Sequence, residues 1–193
     1  MAKGLLIVDV QNDFTEGGAL GVDGGTEVAR GITRYLHDHA SDYDVVIASR
    51  DWHDPDNDNG GHFATVDEPN FVDTWPAHCV AGTFGAEYHP ELDLAPIDIH
   101  VKKGQGEPAY SMFEGITDDG HTVAEVLDAR GITEVDVVGI ATDHCVRASA
   151  LDALKEGQKV RVLSDLIAAV SPATGEQALA ELQSEGASVQ TSS

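Results

Sequence analysis

Short apolar segments alternate along the chain with stretches in which apolar residues recur at helical spacing. Six short apolar segments read as strands, at residues 4–10, 44–52, 97–104, 134–142, 158–165 and 187–191. The helical pattern occupies residues 26–40, 121–131, 143–157 and 171–186. This alternation predicts an α/β fold, a doubly wound and mostly parallel sheet of about six strands with helices on both faces.

One long polar region, residues 53–96, interrupts this alternation and is rich in Asp, Asn, Gly, Pro and His. A loop of that length in a compact domain is usually functional or disordered. No internal repeat or linker is visible, so we expect a single domain over residues 1–193, with 53–96 as a long functional loop region. Sites in such sheets lie at the carboxyl ends of the strands. That rule points to Asp9, Asp51, Lys103 and Cys145.

The charge balance is strongly acidic, with 34 Asp plus Glu against 11 Lys plus Arg and a formal net charge of -23. Such a field repels nucleic acid and anionic membranes, so neither is an expected partner. Because the carboxylates are spread through regular α/β periodicity, we expect a folded domain with a hydrated acidic surface, as in salt-loving organisms. No apolar run approaches the ~20 residues of a membrane span, and the first one is too short for a secretion signal. A cytoplasmic protein is therefore expected.

The two cysteines, Cys79 and Cys145, form no CxxC pair or zinc-ribbon spacing, and a cytoplasmic chain argues against a disulfide. Cys145 follows an apolar strand and falls in the first turn of the next predicted helix. There the helix dipole and free N–H groups favour a thiolate, and the same groups can hold an oxyanion. A buried structural cysteine is the alternative.

Two further residues have the pattern of catalytic groups. Lys103 shares the parity of Ile99 and Val101, which places it on the buried face, where an ammonium needs a carboxylate or thiolate partner. A strand-end lysine reaching for water is the alternative. Asp9 ends the first strand and can act as a general acid or base, or serve as a cap or loop anchor. Asp13 has the pattern of a turn residue.

The beginning of the long loop offers a set of metal ligands. One carboxylate oxygen and three imidazole nitrogens suit zinc, ferrous iron or manganese, whereas isolated histidines usually belong to the surface or core. The stretch DPDNDNG resembles a calcium loop, but Val66 stands where an EF-hand needs glutamate, so calcium is excluded. The candidate ligands are Asp51, His53, His62 and His78.

Taken together, VDVQNDF, RDWH…GGHF, WPAHCV and GIATDHCV resemble the nicotinamidase branch of the isochorismatase-like cysteine hydrolases. The resemblance covers nearly the whole chain. The spacing back from Tyr110 and Ser111 selects Lys103, rather than Lys102, as the family lysine, in agreement with its parity.

The resemblance implies a triad of Asp9, Lys103 and Cys145 that hydrolyses nicotinamide, and also pyrazinamide, through a cysteine thioester in NAD salvage. Lys103 favours the thiolate and Asp9 takes up its proton. The N–H groups of Ala141 and Cys145 are the implied oxyanion hole, with a cis peptide between Ile140 and Ala141.

The resemblance also implies one divalent metal ion, zinc, iron or manganese, and no organic cofactor. The metal would bind the pyridine nitrogen and position the substrate rather than make hydroxide. The resemblance is compatible with a homo-oligomer but does not require one. The implied ligands are Asp51, His53, His62 and His78, and the implied substrate-pocket residues are Phe14, Trp75, Tyr110 and His144.

The sequence departs from the family pattern in two places. The acidic insert DPDNDNGG bears on the loop geometry and the metal preference, and the stretch Gly-Glu-Pro at 106–108 bears on the pocket rim. Two alternative functions follow from the same residues. One is another cysteine amidase acting on a carbamoyl or ureido compound, against which the metal set argues. The other is a non-catalytic metal-binding or thiol redox module, against which the complete aspartate–lysine–cysteine set argues.

Overall fold

The computed structural model describes all residues from Met1 to Ser193. One seven-stranded sheet forms the centre of the molecule, in the order β4-β3-β2-β1-β5-β6-β7. All neighbouring strands are parallel except the β3–β4 pair. The strands are β1 (Ala2–Val8), β2 (Val45–Asp51), β3 (Ile99–Lys103), β4 (Ile116–Thr117), β5 (Ile132–Ile140), β6 (Lys159–Ala168) and β7 (Ser188–Gln190).

The doubly wound, mostly parallel prediction is confirmed, and six of the seven strands correspond to the predicted apolar segments. The additional strand, β4, has only two residues and pairs antiparallel with β3 at the sheet edge. A strand of two residues is too short to produce a period-2 pattern, which explains why the sequence did not predict it.

Four α-helices cover the two faces of the sheet. They are α1 (Gly25–His39), α2 (Val123–Ala129), α3 (Arg147–Lys155) and α4 (Pro172–Ser184). Helix α1 packs on one face with part of the long loop, and the other three pack on the opposite face. In β1, Leu6 and Val8 face the three-helix side while Leu5 and Ile7 face α1, as the alternation of strand side chains requires.

The helix ends follow local capping chemistry. Thr122 and Glu125 form a capping box at the start of α2, and Ser171 caps α4 just before a proline at its first position. Helix α1 instead begins after Gly24, and the Glu16 carboxylate accepts hydrogen bonds from the Gly24 and Thr26 amides. That contact ties α1 to the preceding loop, which lines the cavity described below.

The predicted helix at 143–157 is not uniform. Its first turn, Thr142–Val146, is π-helical, and regular α-helix begins only at Arg147. No helix of the structure combines the length and the apolar character that a membrane crossing requires.

Candidate active site

The four residues selected at strand ends meet at one edge of the sheet. Asp9 directly follows β1, Asp51 ends β2, Lys103 ends β3, and Cys145 lies in the π-helical turn after β5. Asp51 and Lys103 are register partners in adjacent parallel strands. The strand order reverses between β1 and β5, so this edge is the switch point where doubly wound sheets place their sites.

Lys103 lies at the centre of this group and is completely buried. Its Nζ lies 2.9 Å from Asp9 Oδ2 and 3.8 Å from Cys145 Sγ, and it donates a short hydrogen bond to Asp51 Oδ1. The expectation that a buried lysine needs a carboxylate or thiolate partner is confirmed, since Lys103 contacts two carboxylates. The bond to Asp51 was not predicted, because it depends on the register of two strands far apart in sequence.

Burial and charge set the protonation of these groups. Burial works against the charged form of Lys103, but the Asp51 and Asp9 carboxylates raise the Lys103 pKa well above its usual value. Burial also opposes ionisation of Asp51, yet Lys103 holds the Asp51 pKa well below its ordinary value. For Asp9, burial raises the pKa and Lys103 offsets this only in part. A raised carboxyl pKa suits a group that must both accept and donate a proton near neutral pH.

The Cys145 thiol differs from the sequence-based expectation. Burial raises the pKa of Cys145 well above its ordinary value, and Lys103 lowers it only in part. The resting thiol therefore keeps its proton. Lys103 does lower the pKa of Cys145, as expected, but burial raises that pKa by more. The other cysteine, Cys79, is also a free, buried thiol.

The turn that carries Cys145 has an unusual backbone. The peptide bond between Ile140 and Ala141 is cis, as the resemblance implied. The Ala141 carbonyl accepts from the His144 and Val146 amides, at 3.1 Å each, whereas the Ala141 amide donates to no backbone carbonyl. A free N–H group therefore lies at the strand end next to the turn that carries Cys145.

The three loop histidines converge as the ligand prediction requires. His53, His62 and His78 are all buried, and each offers a ligand atom within 4.8 Å of the others. The Asp51 Oδ2 atom lies 3.5 Å from His53 Nε2 and 3.7 Å from His78 Nε2. Asp51 thus bridges the two halves of the site, with one oxygen on Lys103 and the other facing the histidines.

The hydrogen bonds of the histidines fix which nitrogens are free. His53 Nδ1 lies 2.7 Å from the Gly104 carbonyl and His78 Nδ1 lies 2.8 Å from the Pro76 carbonyl. Because a carbonyl only accepts, both Nδ1 atoms donate, so both Nε2 atoms face the cluster, the usual arrangement of metal-ligating histidines.

The unpartnered atoms of this cluster test whether it fits a metal ion. His53 Nε2 and His62 Nδ1 are buried without a hydrogen-bond partner. Burial first, and then the nearby His53 and His78, lower the pKa of His62 to about 4, so its imidazole is neutral and able to ligate. Buried polar atoms without partners are rare in proteins, and a divalent cation would satisfy this set of three nitrogens and one oxygen.

The acidic insert in the loop has its own anchor. Asn59 is completely buried with a positive φ of 51°, and its Oδ1 accepts from the Asp54 and Gly106 amides at 2.8 and 3.0 Å. Its amide group donates to the Asp54 and Asn57 carbonyls. Asn59 therefore fastens the insert to the loop after Lys103, so the two departures from the family pattern contact each other.

A cavity of about 390 Å³ opens above Cys145 and the histidines. Phe14, Trp75, Tyr110 and His144, which the resemblance placed in the pocket, all line it. The Trp75 indole donates to the Tyr110 hydroxyl at 3.1 Å, and its ring meets His144 edge-on with centroids 5.4 Å apart. Sequence reasoning missed several apolar lining residues, which come from separate loops: Leu20, Val22, Phe71, Ala109 and Val170.

Sequence reasoning also missed residues that position the site. The Gln11 side chain donates to the Asp51 carbonyl and accepts from the Asp51 amide, both at 2.9 Å. Asp13, interpreted as a turn residue, accepts from the Cys79 amide at 2.7 Å and so fixes the backbone next to His78. Ser49 donates to Asp9 Oδ1 at 2.7 Å. Polar residues beside strand ends in VDVQNDF were the available signal for the first two.

Comparison with known proteins agrees with this geometry. The chain is 49% identical over 181 residues to the nicotinamidase/pyrazinamidase of Mycobacterium tuberculosis, covering 94% of each chain. The pyrazinamidase of Pyrococcus horikoshii in complex with zinc superposes with a TM-score of 0.84 at 34% identity, covering 99% of both chains. The L. infantum protein PnC1 in complex with nicotinate gives a TM-score of 0.83 at 35% identity, covering 99% of this chain and 93% of its own.

The sequence pattern described as the isochorismatase domain matches residues 3–193. Its extent includes every strand end that contributes to the site, from Asp9 to the Cys145 turn. Since the match spans nearly the whole chain, this protein belongs to the isochorismatase family.

Proposed function

We propose that residues 1–193 form one hydrolase domain that converts nicotinamide to nicotinate and ammonia. The observation that carries the proposal is the position of Asp51, which joins a buried Lys103–Asp9–Cys145 group to a histidine cluster at the base of one cavity. A cysteine hydrolase needs the first group. A cation held by the second group would contact the ring nitrogen of a heteroaromatic amide. Similarity to proteins named nicotinamidase and pyrazinamidase supports the same substrates.

The first half of the reaction transfers the acyl group to sulfur. Cys145 gives its proton to Asp9 as Sγ attacks the carboxamide carbon, and Lys103 stabilises the negative charge that forms on sulfur. The N–H groups of Ala141 and Cys145 hold the oxyanion of the tetrahedral intermediate. Asp9 then returns the proton to the amide nitrogen, the C–N bond breaks, and ammonia leaves a thioester on Cys145.

The second half releases the product. Asp9, now a carboxylate, takes a proton from a water molecule as the water oxygen attacks the thioester carbon. The C–S bond breaks, the proton on Asp9 returns to the sulfur, and the product leaves as a carboxylic acid that ionises in water. Thiol and carboxylate thus return to their starting states, as a catalytic cycle requires.

The donor set Asp51, His53, His62 and His78 would hold one divalent cation. When bound, such an ion supplies a Lewis-acid contact for a ring nitrogen and so orients the substrate. The aromatic side chains of Phe14, Trp75 and Tyr110 supply flat apolar walls for a six-membered ring, with His144 at the edge of Trp75. Pyrazinamide keeps both the ring nitrogen and the carboxamide, so it is expected to be a substrate.

The test is ammonia release from nicotinamide at high salt. The protein is assayed as purified, after chelation, after return of zinc, iron or manganese, and as Cys145→Ala. We expect turnover that is lost in Cys145→Ala and after chelation, and is restored by metal. Benzamide is the matched control substrate, because it keeps the carboxamide but lacks the ring nitrogen, and it should react far more slowly.

A folded protein with metal bound and no ammonia release would contradict the proposal. In that case, turnover of a carbamoyl or ureido compound would indicate another cysteine amidase. Metal binding without any amide turnover would indicate a binding module.

A further inference from the structure

Ser49 lies beside Asp9 on the adjacent strand and has no role in the reaction described above. It belongs to β2, is completely buried, and its Oγ donates to Asp9 Oδ1 at 2.7 Å. The Ser49 carbonyl also accepts from the Asp9 amide at 3.2 Å. Backbone and side chain of one serine therefore hold Asp9, whose own φ is positive at 48°. Aspartate enters this left-handed region more readily than most residues do.

The two oxygens of Asp9 consequently have different surroundings. Oδ1 accepts the Ser49 hydrogen bond, whereas Oδ2 lies 2.9 Å from Lys103 Nζ and has no hydrogen-bond partner of good geometry. The Ser49 hydroxyl has no other acceptor than Oδ1. A proton on Oδ1 would reverse the direction of the hydrogen bond between Ser49 Oγ and Asp9 Oδ1. The Ser49 hydroxyl hydrogen would then be buried without an acceptor, which is unfavourable.

We propose that Ser49 is a positioning residue that makes Asp9 Oδ2 the proton-carrying oxygen. This inference rests on the proposed function. In acyl transfer the proton leaves Cys145 Sγ, is held on Oδ2 and passes to the amide nitrogen as the C–N bond breaks. In hydrolysis it leaves water, is held on the same Oδ2 and returns to Sγ as the C–S bond breaks. Ser49 keeps its own proton throughout.

The geometry explains why one oxygen must serve both steps. Lys103 Nζ contacts both Asp9 Oδ2 and Cys145 Sγ, while Asp9 Oδ1 points back toward β2. A carboxylate free to rotate would present either oxygen to the sulfur, and its rotation would turn a bound proton toward β2. Ser49 removes that freedom, so Asp9 is preorganised for proton transfer.

The test compares Ser49→Ala with Ser49→Thr and with Ser149→Ala. Ser149 is a matched control because it is equally buried and its hydroxyl also makes one internal hydrogen bond, from the Met112 amide. We expect Ser49→Ala to lower kcat for nicotinamide about tenfold or more. KM and bound metal should stay within about twofold, because the cavity and the ligands are unchanged. Ser149→Ala should keep the wild-type kcat.

Rescue and step-resolved kinetics separate positioning from general destabilisation. Ser49→Thr keeps a hydroxyl and should recover most of the kcat, and in Ser49→Ala both thioester formation and thioester hydrolysis should slow in single turnovers. If Ser49→Thr does not fold, the step-resolved comparison of Ser49→Ala with Ser149→Ala decides alone. A wild-type kcat in Ser49→Ala, or an equal loss in Ser149→Ala, would overturn the inference while wild-type turnover still upholds the proposed function. An inactive wild type would instead overturn the proposed function.

Discussion

Lys103 is the residue on which the electrostatics of the site depend. It is completely buried between two buried carboxylates, Asp9 and Asp51, and it is the only cation that contacts both. A buried charge is tolerated when it is paired, and removal of one partner leaves the others uncompensated. The lysine therefore compensates two buried charges in the resting site, and in the proposed reaction it also stabilises charge on Cys145.

Replacement of Lys103 by methionine should destabilise the metal-free protein by about 3–5 kcal/mol at neutral pH. Without the ammonium, burial raises the folded-state pKa of both carboxyls above that of the unfolded chain. The penalty is then complete above the folded pKa and shrinks as pH falls from there toward the unfolded pKa of about 4, so the difference from wild type should be smallest near pH 4. Urea unfolding between pH 4 and 8 measures this difference.

Lys102→Met is the control for that series. The neighbouring lysine lies on the other side of β3, partly exposed over the Trp52 ring and 3.7 Å from Asp118. Its loss should change stability by no more than about 0.5–1 kcal/mol at any pH. A pH-independent penalty in Lys103→Met would show that the ammonium contributes packing rather than charge compensation.

At the scale of elements, the long loop is attached to the sheet through a few buried side chains. The Asn59 side chain makes four hydrogen bonds, three within the acidic insert and one from the Gly106 amide in the loop after Lys103. That second loop carries the Gly104 carbonyl, to which His53 donates. The position of a candidate metal ligand therefore depends on a residue that contacts no metal.

Asn59→Ala should weaken metal binding about 10- to 100-fold, as loss of support around a ligand typically does. Equilibrium dialysis with zinc measures the affinity directly, without reference to turnover. Asp56→Asn is the control, because Asp56 is an exposed residue of the same insert. Equal zinc affinity in wild type and Asn59→Ala would show that the insert is only a surface feature.

The β1–β5 pair is the second element-scale feature that positions the site. Gly139 pairs with Val8 and has a φ of 119°, and a Cβ there would lie 2.1 Å from the Val8 carbonyl oxygen. Val8 directly precedes Asp9, and Gly139 lies two residues before Ala141. A shift between the strands would therefore move Asp9 relative to the turn that carries Cys145.

Gly139→Ala should destabilise the protein by about 3 kcal/mol or more, since the clash is with backbone that has no room to move. Gly157→Ala has a comparable φ of 90° but meets nothing within 4 Å, so it should cost only about 1–2 kcal/mol from backbone conformation. Chemical denaturation of both variants checks the comparison. Equal losses would contradict the close approach of β1 and β5.

Over the whole molecule, the net charge of -23 opposes the compact state through self-repulsion. Salt shortens the Debye length from about 30 Å at 0.01 M to about 3 Å at 1 M, which removes most of that repulsion. We expect Tm to rise by about 5 °C or more over this range, roughly 2 kcal/mol at this chain length. Calorimetry in NaCl and in KCl should give the same rise. A flat Tm would contradict the idea of an acidic surface adapted to high salt.

Much of the fold and most of the candidate site could be predicted because their signals are local. Strand parity placed Lys103 inward, and strand ends identified Asp9, Asp51 and Cys145. The proton on the Cys145 thiol was not predictable, because it depends on how deeply packing buries the sulfur. Other features depend on contacts between distant segments, which no local pattern encodes. They are the Asp51–Lys103 bond, the contact of Ser49 with Asp9, and the position of Val170 in the cavity lining.

The central position of β1 has a consequence for how the protein is made. Asp9 leaves the ribosome near the start of synthesis, but Val137, the β5 partner of Leu6, is translated only after most of the chain. At about 5–20 residues per second, the first strand must wait on the order of ten seconds for β5, its neighbour on one side. A nascent or prematurely ended chain therefore contains Asp9 without Cys145, and chaperones have that interval in which to bind an exposed Leu5–Val8 segment.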